Sequence, residues 1–126
     1  YNVYGPNTDV WGNEWQSVIN IFKDQREAEI SLTITGDGTQ RRDFTYVDDI
    51  VTGLILAGDN IRNDEFQLGS GVDYSILDIA EAFDHPFEFI PARKGDRPKG
   101  LADVSHANKV LGYRPTRNVI TYIKSL

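Results

Sequence analysis

The chain has 126 residues, 40% of them hydrophobic and 25% charged, with no cysteine and a formal net charge of −6. That length and balance suit one globular domain with a single core. The acidic total argues against a nucleic-acid or anionic-membrane surface, which would need a basic stripe, and a cysteine-free chain has no disulfide framework and no thiolate metal site.

The longest apolar run, around Leu54-Ile55-Leu56-Ala57, is far too short for a membrane span or a signal peptide. A cytoplasmic setting is expected, since a reducing cytoplasm is compatible with a cysteine-free chain though not demanded by it. The chain contains no methionine, even at position 1. It also opens inside a predicted strand, Tyr1–Tyr4, as expected of a fragment or an excised domain.

Gly5-Pro6-Asn7 breaks that first strand, and residues 7–13 read as loop. From Glu14 to about Arg26, Trp15, Val18, Ile19 and Phe22 recur on one helical face. Leu32–Thr35 and Asp43–Val47 are rich in β-branched and aromatic residues and predict strands. Asp48 or Asp49 is expected to cap a buried helix running to about Gly58. Glu65–Leu68 predicts a strand closed by a Gly69-Ser70-Gly71 turn. Ser75 and Asp78 have capping-box spacing ahead of Ile76, Ile79, Ala80 and Phe83. Phe87–Ile90 predicts a strand stopped by Pro91, and Ser105–Leu111 a short helix with Gly112 just past its end. Val119, Tyr122, Ile123 and Leu126 form the apolar face of a last helix. Strands and helices alternate without a repeat, so the fold class is α/β.

Within residues 32–49 a strand, a Gly36-Asp37-Gly38 turn, the Arg41-Arg42 pair and a second strand follow one another. This order sets a fixed guanidinium beside a strand edge, a way to hold a phosphate next to a flat ring. Arginine offers a diphosphate charge-assisted donors in a rigid fork, although a solvated surface arginine is the plain alternative. The edge of Leu32–Thr35 can likewise be read as a core strand or as backbone groups open to a nucleobase. Asp48 and Asp49, adjacent before a helix, are better explained by capping than by acid–base work. His85 and His106 have no ligand spacing for zinc, and no G-x-S-x-G surrounds Ser70.

Asn2-Val3-Tyr4-Gly5-Pro6, Gly36-Asp37-Gly38-Thr39-Gln40-Arg41-Arg42-Asp43-Phe44 and Pro91-Ala92-Arg93-Lys94-Gly95-Asp96 occur in family order. Together they resemble the C-terminal half of the NAD-dependent nucleotide-sugar epimerases and dehydratases, the extended short-chain dehydrogenase/reductases. The resemblance implies the substrate-binding portion of a Rossmann-type enzyme over residues 1–126, with small mixed sheet edges and helices. It also implies that Asn2, Arg42 and Arg93 contact the diphosphate of a nucleotide sugar. Thr33, Ile34 and Thr35 would face the nucleoside, with Asp96 beside them. Thr35 stands where many relatives carry an aromatic residue. Gln67 stands where relatives usually have asparagine, and His106 replaces a common lysine. Arg41 is expected in solvent, Asp103 as a cap or ion-pair partner, and Tyr1 either beside the nicotinamide and sugar or in the core.

The family's chemistry needs a Tyr-x-x-x-Lys pair and a G-x-x-G-x-x-G cradle for NAD, and this chain contains neither. NAD is therefore expected mainly on an N-terminal half absent here, and the chain alone is expected to be inactive. Phe44 makes the pattern more similar to UDP-sugar 4-epimerases than to dTDP-glucose 4,6-dehydratases, which more often carry tryptophan there. In the former, C4 of the sugar is oxidised by NAD, the 4-keto sugar rotates about its diphosphate, and hydride returns to the other face. A dehydratase or decarboxylase of the same family and a non-catalytic nucleotide-binding module are the alternatives. A UDP-sugar is the expected partner, with no nucleic acid or membrane. A homodimer is a further expectation for the full-length enzyme.

Overall fold

The computed structural model describes residues 1–6, 17–59, 64–95 and 98–126. Its central strand is β3 (Arg41–Tyr46), which pairs in parallel with β1 (Asn2–Tyr4), Asn2 lying opposite Phe44. The first half of β3 is bordered by β4 (Asp73–Ser75), antiparallel, and by the short β6 (Lys99–Gly100), parallel. A separate two-stranded parallel sheet joins β2 (Leu32–Thr35) to β5 (Phe87–Ile90). The α/β reading holds, and the bounds of β2 and β5 are those expected from sequence.

Helices fix these strands. α1 (Val18–Glu27) starts where the Ser17 hydroxyl accepts the Asn20 N–H at 3.3 Å, and residues 14–16 of the expected helix lie outside the described residues. α3 (Ile76–Ala82) carries the expected capping box between Ser75 and Asp78, bonded in both directions. Both helices pack on β2, whose Leu32 and Ile34 are fully buried. Phe22 of α1 meets Phe83 edge to face, 5.8 Å between ring centroids. α2 (Val47–Gly58) lies against β1 and β3 as well as α4 (Ser105–Leu111), which ends at left-handed Gly112 as its sequence implies. α5 (Val119–Ser125) closes the core against α3 and β3. No helix of the described residues is long and apolar enough to cross a membrane.

Two expectations are corrected. Neither Asp48 nor Asp49 caps α2: Tyr46 occupies the cap position and makes no side-chain cap bond. Instead the buried Asp49 carboxylate accepts the backbone N–H groups of Thr116 (3.1 Å) and Arg117 (3.2 Å), so a tertiary contact claims it. Glu65–Leu68 is not a strand. Its side chains find partners elsewhere: Phe66 stacks on His106, and the Gln67 carbonyl accepts the Asp103 N–H at 2.9 Å. Next to the Gly69-Ser70-Gly71 turn, the strand that pairs with β3 is Asp73–Ser75, after the turn rather than before it.

Candidate functional site

Arg42 sits where β3 is flanked on both sides, opposite Tyr74 of β4 and Gly100 of β6. Its backbone is therefore fixed, and its Nη1 donates to the Arg41 carbonyl at 2.8 Å. The parallel register with β1 places Asn2 two positions further along the same strand, opposite Phe44. Arg93 follows β5 and is exposed. The Gly36–Gly38 turn joins β2 to the segment leading into β3, and it needs glycine at Gly38. There φ is +75° and a Cβ would meet Ile34 Cγ2 at 2.9 Å.

These elements enclose a cleft of about 390 Å³. Asn2, Arg42 and Arg93 line it together with Thr33 and Thr35 of β2. Five of the seven residues expected from sequence thus share one cavity. Ile34 does not: its side chain alternates to the opposite face of β2 and is buried in the core, and its backbone groups lie on the edge that pairs with β5. Asp96 lies outside the described residues. Ser17 and Val18, at the amino end of α1, also line the cleft, where the helix dipole favours negative charge.

The outer edge of β2 is less open than the sequence implies. Leu32 and Gly36 donate their N–H groups towards β5, to the carbonyls of Pro86 and Ile90, so the backbone groups of Thr33 and Thr35 face away from it. Gln25 of α1 accepts the Thr33 N–H at 3.0 Å and donates to the Thr33 hydroxyl at 2.8 Å. Gln40 donates to the Thr35 carbonyl at 3.0 Å and reaches its hydroxyl at 3.1 Å.

Arg41 is not left to solvent. Its Nε donates to Asp73 Oδ1 and its Nη2 to the Asp73 carbonyl, both at 3.1 Å. That hydrogen bond holds the Asp73 carboxyl below the usual carboxylate range. Tyr1 is not a core aromatic: it is exposed, and its hydroxyl donates to the Gln67 side-chain carbonyl at 2.6 Å. Asp103 stands one residue before the cap position of α4, which Val104 occupies, and its carboxylate accepts the Ser105 hydroxyl (2.6 Å) and N–H (3.1 Å); these bonds lower its carboxyl pKa. His106 reaches Asp64 at 2.8 Å and His85 the Ile30 carbonyl at 2.8 Å. Among the described residues, no three His, Cys, Asp or Glu side chains gather as metal ligands.

Sequence reasoning missed Gln25, Gln40 and the buried Asp43. Asp43 Oδ1 accepts from Ser70 N–H at 2.8 Å, and its Oδ2 accepts from Gly71 N–H at 2.9 Å and Ala102 N–H at 3.2 Å. It thereby anchors the Gly69-Ser70-Gly71 turn to the strand that carries Arg42. The available signal was an acidic residue inside an otherwise β-forming run.

A family profile described as "NAD dependent epimerase/dehydratase family" matches residues 1–69. A UDP-glucose 4-epimerase of Mycolicibacterium smegmatis is 35% identical over 122 residues, covering 90% of this chain and 38% of that protein. UDP-glucuronic acid decarboxylase 1 of Arabidopsis thaliana is 31% identical over 121 residues, covering 91% of this chain and 27% of that protein. Among solved structures, the UDP-glucose 4-epimerase of Thermotoga maritima with UDP-glucose superimposes with a TM-score of 0.86 at 31% identity. That match covers 98% of this chain and 41% of the other. The chain thus spans well under half the length of the proteins it matches.

Proposed function

The chain belongs to the NAD-dependent epimerase/dehydratase family, and from that membership we propose that residues 1–126 form its nucleotide-sugar-binding portion, with a UDP-sugar as ligand. The observation that carries this reading is the convergence of Asn2, Arg42 and Arg93 with the β2 edge on one cleft. Two guanidiniums and a side-chain amide offer a diphosphate several donors, one of them held by a strand flanked on both sides. Thr33 and Thr35 place backbone groups within reach of a base joined to that diphosphate. Asp96, beside Arg93 in sequence, belongs to the same proposal.

A 4-epimerase activity is the specific reaction we favour, on the likeness to UDP-glucose 4-epimerases and on Phe44. The roles of Asn2, Arg42 and Arg93 there are binding and orientation: they anchor the diphosphate while the sugar turns. NAD does not fit the residues present, because no Gly-rich turn follows a first strand and no Tyr-x-x-x-Lys occurs. The cofactor would be held mainly by other parts of the enzyme, and the residues of this chain bind and orient the substrate. A decarboxylase reading keeps the same diphosphate site and is favoured by the Arabidopsis relative.

Calorimetric titration of the intact protein with UDP, dTDP and GDP tests the proposal. Saturable binding that prefers UDP, and that falls by about tenfold to a hundredfold in Arg42→Ala, is expected for loss of a charge-assisted contact. Equal binding by the variant would remove Arg42 from the site, and no binding of any nucleotide would overturn the reading.

A further inference from the structure

We propose that Gln25 is a positioning residue for nucleobase recognition, acting through Thr33; this rests on the nucleotide-binding reading above. Gln25 lies on α1 and is not among the residues that line the cleft, whereas Thr33 and Thr35 are. A glutamine side chain offers one acceptor and two donors on a planar amide. Here its carbonyl takes the Thr33 N–H at 3.0 Å and its amide nitrogen meets the Thr33 hydroxyl at 2.8 Å. The pair of bonds treats Thr33 as a neighbouring strand would, on the edge where β2 has no strand partner among the described residues. Gln40 makes the matching contact at Thr35, to its carbonyl and hydroxyl.

The consequence is a reduced edge. With the Thr33 N–H and the Thr35 carbonyl engaged by glutamines, the Thr33 carbonyl and the Thr35 N–H remain for a ligand. One acceptor next to one donor suits the imide face of uracil or thymine, which offers an N–H beside a carbonyl. The N–H of Thr33 would otherwise compete for that face, and the strand end would be free to shift register. Gln25 therefore sets both the orientation of the edge and its hydrogen-bond pattern, without touching the ligand. The sequence carries no periodic or motif signal for this, because the contact joins a helix to the strand that follows it across a turn.

The test compares UDP with inorganic pyrophosphate on the intact protein carrying Gln25→Leu or Gln25→Glu. Gln25→Leu leaves the Thr33 N–H without its acceptor and should weaken UDP about fivefold to tenfold, the scale of one hydrogen bond. Pyrophosphate, which lacks a base, should bind both variants as it binds the wild type. Gln25→Glu keeps the acceptor, the Thr33 hydroxyl turning to donate to the carboxylate, and should restore UDP binding to within about twofold. Equal weakening of UDP and pyrophosphate would reduce Gln25 to a structural contact and overturn the positioning role. So would unchanged UDP binding in Gln25→Leu. Wild-type protein that binds pyrophosphate but not UDP more tightly would instead overturn the nucleotide reading, and the role of Gln25 with it.

Discussion

Asp43 shows how one side chain connects the fold to the cleft. Its Oδ1 accepts from the Thr45 hydroxyl at 2.9 Å and from Ser70, while its Oδ2 accepts the Gly71 and Ala102 amides. Both oxygens are thus committed as acceptors next to Arg42. Asp43→Asn keeps the shape but turns one oxygen into a donor that confronts N–H groups. Whichever way the amide faces, at least one set of donors is left unpaired in the interior. We expect a loss of about 2–4 kcal/mol in urea unfolding, from the cost of unsatisfied buried groups. A change within about 0.5 kcal/mol, the scale of an ordinary surface substitution, would refute that account. Gly69 is part of the same arrangement, since a Cβ there would come within 2.9 Å of Asp43 Oδ2. At this scale, legibility depended on whether a residue's partners are local. Asn2, Arg42 and Arg93 were readable because each sits in a short motif whose order carries the resemblance. Apart from the Thr45 hydroxyl, the partners of Asp43 lie 27, 28 and 59 residues away, so little near it in sequence shows why a carboxylate is buried there.

Elements were legible where local chemistry decides them. Leu32–Thr35 and Phe87–Ile90 follow from β-branched and aromatic runs bounded by turn residues. The box at Ser75 and the left-handed Gly112 follow from capping rules. Glu65–Leu68 has strand-like composition but pairs with no strand among the described residues, and pairing is a tertiary event that composition does not report. Asp49 failed for a related reason. Its position before the helix predicts a cap, yet its carboxylate is recruited by the segment that leads into α5, through Thr116 and Arg117. Arg117 in turn stacks over the Tyr46 ring at 5.1 Å, so α2, β3 and the approach to α5 are tied at one corner. Asp49→Ala should release that corner rather than unfold the helix. The expected result is faster hydrogen exchange at the Thr116 and Arg117 amides, at a cost of about 1–3 kcal/mol for the lost bonds to a charged group. Exchange that rises equally throughout α2 would mean that Asp49 supports the helix itself and not the corner.

The whole molecule carries a net charge of −6, yet its proposed ligand is an anion. The two facts are compatible only if local charge governs the cleft, because at about 0.1 M salt charges more than about 10 Å apart are largely screened from one another. Arg42 and Arg93 face the cavity, whereas Asp73, the acidic group nearest to Arg42 along the neighbouring strand, is engaged by Arg41. The register puts Asp73 on the face of the sheet that carries Arg41, opposite the face that carries Arg42, and the ion pair holds that carboxylate there. Salt separates the local term from the global one. Raising ionic strength weakens attraction to the arginines, and it also relaxes repulsion from the acidic surface. If the arginines dominate, wild-type affinity for UDP should fall by about tenfold between about 0.05 and 0.5 M salt, as charge-assisted contacts are screened. In Arg42→Ala the same change should cost no more than about threefold, because one of the two screened contacts is already absent. Affinity that rises with salt in the wild type would show the acidic surface in control. That outcome would be hard to reconcile with a diphosphate held between Arg42 and Arg93.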